Sequence, residues 1–197
     1  MKRPKLRELK EAITAILIGP YTSKFPAEPA RVADVFRGKP EFDEDECVGC
    51  GACYNVCPPG AIEMTDDAER RIRTLTVNLD RCIYCGQCER NCLTEKGIHQ
   101  TPEFDLASTA ISDLRETVEK KLVFCEACGA VIGAEDHIRW VARKLGALAY
   151  SNPTLLVSAM QNMGLADREP PPGEELRRGD RIRLLCPKCR QITSFVV

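Results

Sequence analysis

A length of 197 residues suits one medium domain or two small ones, and 28 Lys and Arg against 29 Asp and Glu leave a formal charge of −1. That balance gives no global pull towards nucleic acid or an anionic membrane. No apolar run approaches the ~20 residues needed to span a bilayer, and the N-terminus shows no small-residue cleavage site of a secretory signal, so a soluble or peripheral chain is expected.

Leu6, Leu9, Ile13, Ile16 and Leu17 recur at three- and four-residue steps, which predicts an amphipathic helix over 5–18 closed by Gly19-Pro20. Lys2, Arg3, Lys5, Arg7 and Lys10 make it basic. Such a helix suits a membrane surface or a partner's groove; packing on its own domain is the plainer alternative. Pro20, Pro26, Pro29 and Pro40 predict an extended arm from Tyr21 to Pro40, so residues 1–40 read as a helix and docking arm. Glu41, Asp43, Glu44, Asp45 and Glu46 follow as a crowded acidic run, which reads as a solvated face.

Eight of the 12 cysteines then fall into two copies of one spacing. The first is Cys47-x-x-Cys50-x-x-Cys53-x-x-x-Cys57, followed by Pro58; the second is Cys82-x-x-Cys85-x-x-Cys88-x-x-x-Cys92. In cubane iron–sulfur ligation of this pattern, three closely spaced thiolates hold one cluster and the fourth crosses to the other. The spacing therefore assigns Cys47, Cys50, Cys53 and Cys92 to one [4Fe–4S] cluster, and Cys82, Cys85, Cys88 and Cys57 to a second. Gly51 and Gly86 follow the second cysteine of each set, where a residue without Cβ lets the backbone approach the cluster. Disulfides fit poorly with a chain lacking a secretory signal, and a pair of zinc sites would leave the interleaved third and fourth cysteines without a role.

Between the motifs, Ile62–Met64 and Leu75–Leu79 read as short strands with a turn at Asp66-Asp67. Ala61-Ile62 after the first motif matches Gly97-Ile98 after the second, which implies a pseudo-twofold unit over 41–101. Two adjacent clusters conduct single electrons. No catalytic acid, base or nucleophile constellation is visible, so the chain is expected to convert no substrate by itself. Reduced thiols and oxygen-labile clusters suggest the cytoplasm of an anaerobe.

A linker helix is expected over 102–124. Beyond it, Cys125-x-x-Cys128 and Cys186-x-x-Cys189 form two knuckles, a set of four thiolates suited to tetrahedral zinc, with a rubredoxin-type mononuclear iron site open on the same ligands. Their separation exceeds the ~15–20 residues of a compact ribbon. Helices are predicted near 135–148 and over 154–163, the second opened by Asn152-Pro153 and closed by Gly164, with a Pro-rich loop at 170–172. His137 and His99 read as ordinary residues, since four cysteines already close the shell. The fold class is thus α+β: a two-cluster ferredoxin-like domain, an N-terminal helix and arm, and a zinc-ribbon-like four-cysteine domain over 125–197. With few aromatics and many metal loops, metal bonds are expected to supply much of the folding energy.

Two stretches carry a resemblance. YTSKFPAEP, followed by FRGKPEFDEDECVGCGACYNVCPPGAI, resembles the start of the eight-iron ferredoxin-like subunit of membrane-bound group-four [NiFe] hydrogenases, formate hydrogenlyase among them. The same subunit type occurs in the peripheral arm of respiratory complex I. LVFCEACGAVIGAEDHIRWVARKLG with the later LCPKCR resembles the C-terminal extension of the formate-hydrogenlyase version, which complex I counterparts generally lack. Together these cover most of residues 20–192. The resemblance implies a relay that takes electrons from a ferredoxin or a formate-oxidising subunit. It would deliver them to the hydrogenase small subunit beside the large [NiFe] subunit. It also implies a peripheral place on the cytoplasmic face of an ion-pumping membrane module, reached through residues 2–18. One departure stands out: Leu93 replaces the proline that usually follows the fourth cysteine, and the loop Leu93–Gly97 is long.

Two other functions compete. One keeps the relay but sets it in a complex I-type quinone reductase, or in a soluble formate- or carbon monoxide-oxidising assembly. The other is a nucleic-acid binder using Arg177, Arg178, Arg181, Arg183, Lys188 and Arg190 on phosphates. That strip is short, and aromatics are nearly absent from it, so no nucleic-acid partner is expected.

Overall fold

The computed structural model describes residues 5–19, 22, 24–33, 35–166 and 183–195. Lys2, Arg3, Pro20, Tyr21, the 170–172 prolines, Arg177, Arg178 and Arg181 therefore lie outside the described residues. Two compact units divide the chain, residues 1–36 and 37–197.

In the first unit, helix α1 spans Leu6–Ile18. The Lys5 backbone N–H donates to Glu8 Oε2 at 2.9 Å, which satisfies one of the donors a helix start leaves free. Gly19 ends the helix at φ 93°, and α1 buries none of its residues. Residues 24–33 contain no helix or strand.

In the second unit, β1 (Pro40–Phe42) pairs antiparallel with β4 (Ile98–Gln100). A four-stranded antiparallel sheet runs in the order β2 (Ile62–Asp67), β3 (Ile72–Asn78), β5 (Arg115–Phe124), β6 (Val131–Ala134). Two one-turn helices, α2 (Ala52–Asn55) and α3 (Gln87–Arg90), carry cysteines. Helices α4 (Glu135–Leu145), α5 (Pro153–Asn162) and α6 (Pro187–Phe195) complete the unit. The main core joins Phe42, Ile62, Leu75, Val77, Leu79, Ile98 and Val118 to the cysteines, and a smaller core gathers Ile138, Ala149 and Leu155.

Two sequence expectations need correction. The strands of the hairpin run further than expected: Asp66 and Asp67 belong to β2, and the turn falls at residues 68–71. Asp67 Oδ1 caps that turn by accepting from the N–H groups of Glu69 and Arg70, both at 2.9 Å, and Arg71 takes φ 58°.

The expected linker helix over 102–124 is absent. Residues 115–124 form β5, preceded by a short 3-10 turn at Ile111–Leu114. Exposure alternates residue by residue along β5, with Glu116, Val118, Lys120 and Leu122 facing inward. Leu114, Val118 and Leu122 recur every four residues, a spacing that suits helix and strand alike, and inward charges hide the alternation. Those charges are paired: Lys39 Nζ reaches Glu116 at 2.9 Å, and Lys120 Nζ reaches Asp136 at 3.5 Å. Leu75 of β3 stands opposite Val118, so the open edge of the ferredoxin hairpin is closed by β5.

The sheet runs across positions 101/102 and 124/125, and residues 37–197 form one compact unit.

Candidate metal centres

The first motif begins from a turn built by its own acids. Asp43 Oδ1 accepts from the N–H groups of Asp45 and Glu46, both at 3.0 Å, and the Cys47 N–H donates to the Asp43 carbonyl at 2.9 Å. The chain then wraps through Gly49 (φ 66°) and Gly51 (φ 77°) into α2. The second motif follows the same path through Tyr84 (φ 53°) and Gly86 (φ 72°) into α3. At Gly49 an added Cβ would lie 3.0 Å from Lys120 and 3.1 Å from Ala134, a tight approach on top of the left-handed backbone, which favours glycine. Tyr84 takes the same backbone state with a side chain, and its hydroxyl donates to the Leu79 carbonyl at 3.3 Å.

Helices α2 and α3 stop before Cys57 and Cys92, which the chain carries away from their own motifs. One cavity is lined by Cys47, Cys50 and Cys53 together with Cys92, and another by Cys82, Cys85 and Cys88 together with Cys57. Phe42, Leu75 and Ile98 wall the first; Pro40, Ile62 and Val77 wall the second. Among the described residues, neither quartet forms a compact group of three or more ligand atoms of the kind that holds a single ion. The donor sets therefore suit a cubane and fit single zinc ions poorly.

Burial dominates the thiol chemistry here. It pushes Cys53 up to about 12 and Cys88 up to about 11, and raises Cys47 and Cys82 as well. Ligation has to remove these protons, which couples loading to the folded wall around each sulfur. Cys92 goes the other way. Burial works to raise it, but the Thr94 hydroxyl and the N–H groups of Thr94, Gly97 and Ile98 outweigh burial and lower it. The long Leu93–Gly97 loop thus has a use: it sets Thr94 Oγ1 3.5 Å from the Cys92 sulfur and 3.1 Å from the Gly97 N–H that donates to it.

At the other end of the unit, Cys125 closes β5 and Cys128 sits in the knuckle before β6, while Cys186 and Cys189 flank the start of α6. The Cys125 N–H donates to Ala130 and the Gly129 N–H to Cys125, at 2.8 and 2.9 Å. Glu126 draws in the distant pair: its N–H donates to the Leu184 carbonyl at 2.9 Å, and its Oε1 accepts from the Leu184 N–H at 3.2 Å. Arg190 Nη1 then bonds the Asn152 cap of α5 at 2.8 Å. All four sulfurs lie within 4.8 Å of one another, and Cys128 is 3.7 Å from Cys186. Tetrahedral Zn–S bonds of about 2.3 Å imply S···S edges of about 3.8 Å, which matches. Burial raises Cys125, but N–H donors from Cys186, Cys128 and Ala127 outweigh it and hold the sulfur low; Cys189 is pushed up because Cys128 and Cys186 hydrogen-bond to it. His99 is exposed on β4 and His137 half-buried in α4, and neither joins a ligand group among the described residues.

Four polar side chains around the cluster motifs escape a motif search: Arg37, Arg73, Thr94 and Gln100. Arg73 Nη1 donates to the Gly49 carbonyl at 3.0 Å, and Arg37 Nη1 to the Cys85 carbonyl at 3.0 Å. Gln100 Nε2 reaches the Cys88 sulfur at 3.7 Å, while its buried Oε1 finds no partner among the described residues. The FRGKP stretch flags Arg37 as unusual; nothing local flags the others.

A 4Fe-4S dicluster domain family model matches residues 46–96. Formate hydrogenlyase subunit 6 of Escherichia coli (strain K12) is 35% identical over 123 residues, 62% of this chain and 68% of that protein. NADH-quinone oxidoreductase subunit I 2 of Geobacter metallireducens is 30% identical over 130 residues, 62% of this chain and 98% of that protein. The chain belongs to the family of iron–sulfur electron-transfer subunits that includes formate hydrogenlyase subunit 6 and NADH-quinone oxidoreductase subunit I.

Proposed function

We propose that this chain relays single electrons between two [4Fe–4S] clusters, one held by Cys47, Cys50, Cys53 and Cys92 and the other by Cys82, Cys85, Cys88 and Cys57. The observation that carries this reading is the crossing of Cys57 and Cys92, each gathered into the other motif's cavity. When bound, such clusters supply one-electron couples within roughly −700 to +450 mV. The chain's own part is to bury the thiolates, orient them with backbone donors and keep the two sites in one core. The matched backbone through Gly49–Gly51 and Tyr84–Gly86 supports a pseudo-twofold arrangement.

The four-cysteine site takes one structural zinc in a zinc-ribbon-like unit, with mononuclear iron as the alternative on the same sulfurs. The complex is a membrane-bound, ion-translocating [NiFe] hydrogenase. A ferredoxin or a formate-oxidising subunit donates, and the hydrogenase small and large subunits receive. The likeness to formate hydrogenlyase subunit 6 supports this. No helix among the described residues is long and apolar enough to cross a membrane, so attachment is peripheral in this reading, on the cytoplasmic face, with α1 towards the membrane module.

A second reading places the same relay in a complex I-type quinone reductase, favoured by the match to nearly the whole of the Geobacter subunit. Anaerobic affinity purification of the tagged chain from gently solubilised membranes separates the two. Co-purifying [NiFe] subunits with viologen-driven hydrogen evolution support the hydrogenase. Quinone-enzyme subunits without that activity overturn it.

A further inference from the structure

We propose that the two clusters of this relay are electrostatically inequivalent, with electrons resting on the one held by Cys82, Cys85, Cys88 and Cys57. The inference rests on the two-cluster reading above and concerns the charges this chain places around each motif. All-cysteine ligation and the shared backbone path make the motifs a matched pair. What differs around them therefore decides their relative potential, through net charge, donors to sulfur and solvent exposure.

Side-chain donors do not separate the pair, because each cluster site has one: Thr94 on Cys92 at 3.5 Å for the first and Gln100 on Cys88 at 3.7 Å for the second. Charge does. Both cations on the first motif are neutralised. Arg73, on the Gly49 carbonyl, is clamped by Asp66 at 2.7 and 2.8 Å. Lys120, on the Glu44 carbonyl, lies 3.5 Å from Asp136 in a cluster where Arg139 bonds both Asp136 and Glu135, so the four charges balance. Asp43, Glu44, Asp45 and Glu46 then stand directly before Cys47 with no cation paired to their carboxylates among the described residues.

The positions before Cys82 are Asp80 and Arg81, the latter paired with Glu63. Within the motif Glu89 and Arg90 follow Cys88 directly as an opposite-charge pair of neighbours, and Arg37 adds a cation on the Cys85 carbonyl. The first motif is therefore the more negative of the two, which penalises an added electron there. Exposure acts in the same sense. Val48 between Cys47 and Cys50 is 8% exposed, whereas Ile83 between Cys82 and Cys85 is 60% exposed, so water screens an added electron better at the second motif. The electron thus moves from the Cys47/Cys50/Cys53/Cys92 site to the Cys82/Cys85/Cys88/Cys57 site, oxidising the first and reducing the second, with no atom transferred. Arg37 and the acidic run are the residues that set this bias.

The test is a redox titration of the full chain, purified anaerobically with its clusters and followed by electron paramagnetic resonance. Iron analysis comes first. Fewer than eight irons per chain would overturn the two-cluster reading and this inference with it; eight would leave the midpoints to judge the inference alone. Two separated midpoints are expected, converging at high salt because the responsible carboxylates are exposed. Arg37→Gln should lower only the higher midpoint. Glu44→Gln/Glu46→Gln should raise only the lower one, and Asp66→Asn, which frees the Arg73 charge, should raise the lower one independently. Each change should alter the oxidised-to-reduced ratio several-fold at fixed potential; tenfold corresponds to about 59 mV for one electron. Coincident midpoints in the native chain, or Arg37→Gln acting on the lower midpoint, would refute the assignment.

Discussion

On the proposed reading of the four-cysteine site as a structural zinc site, replacing Cys128 by Ser isolates what that metal contributes, because Cys128 is the exposed member of the four and its loss removes little packing. The apolar core beside it is small. Ile138 and Leu155 are its two large buried side chains, worth about 1.5–3 kcal/mol each and so about 3–6 kcal/mol together. A structural Cys-ligated zinc contributes roughly 10–16 kcal/mol in zinc-finger peptides, more than that core supplies. The two are mechanically linked: Glu126 bonds Leu184 across the knuckles, and Arg190 of α6 bonds the Asn152 cap of α5. With the metal gone, α5 and α6 should open while the β2–β3–β5 sheet holds. Hydrogen exchange read by mass spectrometry on the full chain should show amides of 153–162 losing protection by orders of magnitude, with those of 72–78 unchanged. Zinc loss from Cys128→Ser with full protection retained over 153–162 would refute the reasoning.

Cys57→Ser should cost the cluster of the second motif, although Cys57 belongs to the first by sequence; Mössbauer spectra should retain the signal that Cys82→Ser leaves and lose the one that Cys82→Ser removes. Leu75 is 1% exposed at the centre of the main core, so Leu75→Ala should destabilise by about 2–5 kcal/mol in chemical denaturation of the reduced, cluster-loaded chain. The Lys39–Glu116 pair ties residues 37–40 to β5, and its bond to Glu116, followed by neighbouring acids, raises Lys39 above its ordinary value. A raised folded-state value means this contribution is complete below about pH 10 and is lost as pH climbs through the folded value. Glu116→Gln should lower stability by about 1 kcal/mol at neutral pH and flatten that alkaline loss.

The structure gathers the twelve cysteines into three groups, and their spacing stands out in the sequence because a loop wrapped closely about a metal centre leaves its period in the chain itself. Helices α1, α4 and α5 were legible for a similar reason: their apolar period and their Gly19, Asn152 and Gly164 boundaries are local properties. The strand character of 115–124 was not, since Glu116 and Lys120 face inward only because Lys39 and Asp136 wait there from distant parts of the chain. Closing a gap of 58 residues between Cys128 and Cys186 likewise depends on the Glu126–Leu184 bonds, which no local pattern announces. Nor could composition tell which arginine stays unneutralised beside which motif. Charge counts add along a chain, but an electrostatic field depends on distance, and only the tertiary structure sets Asp66 on Arg73 while leaving Arg37 on Cys85.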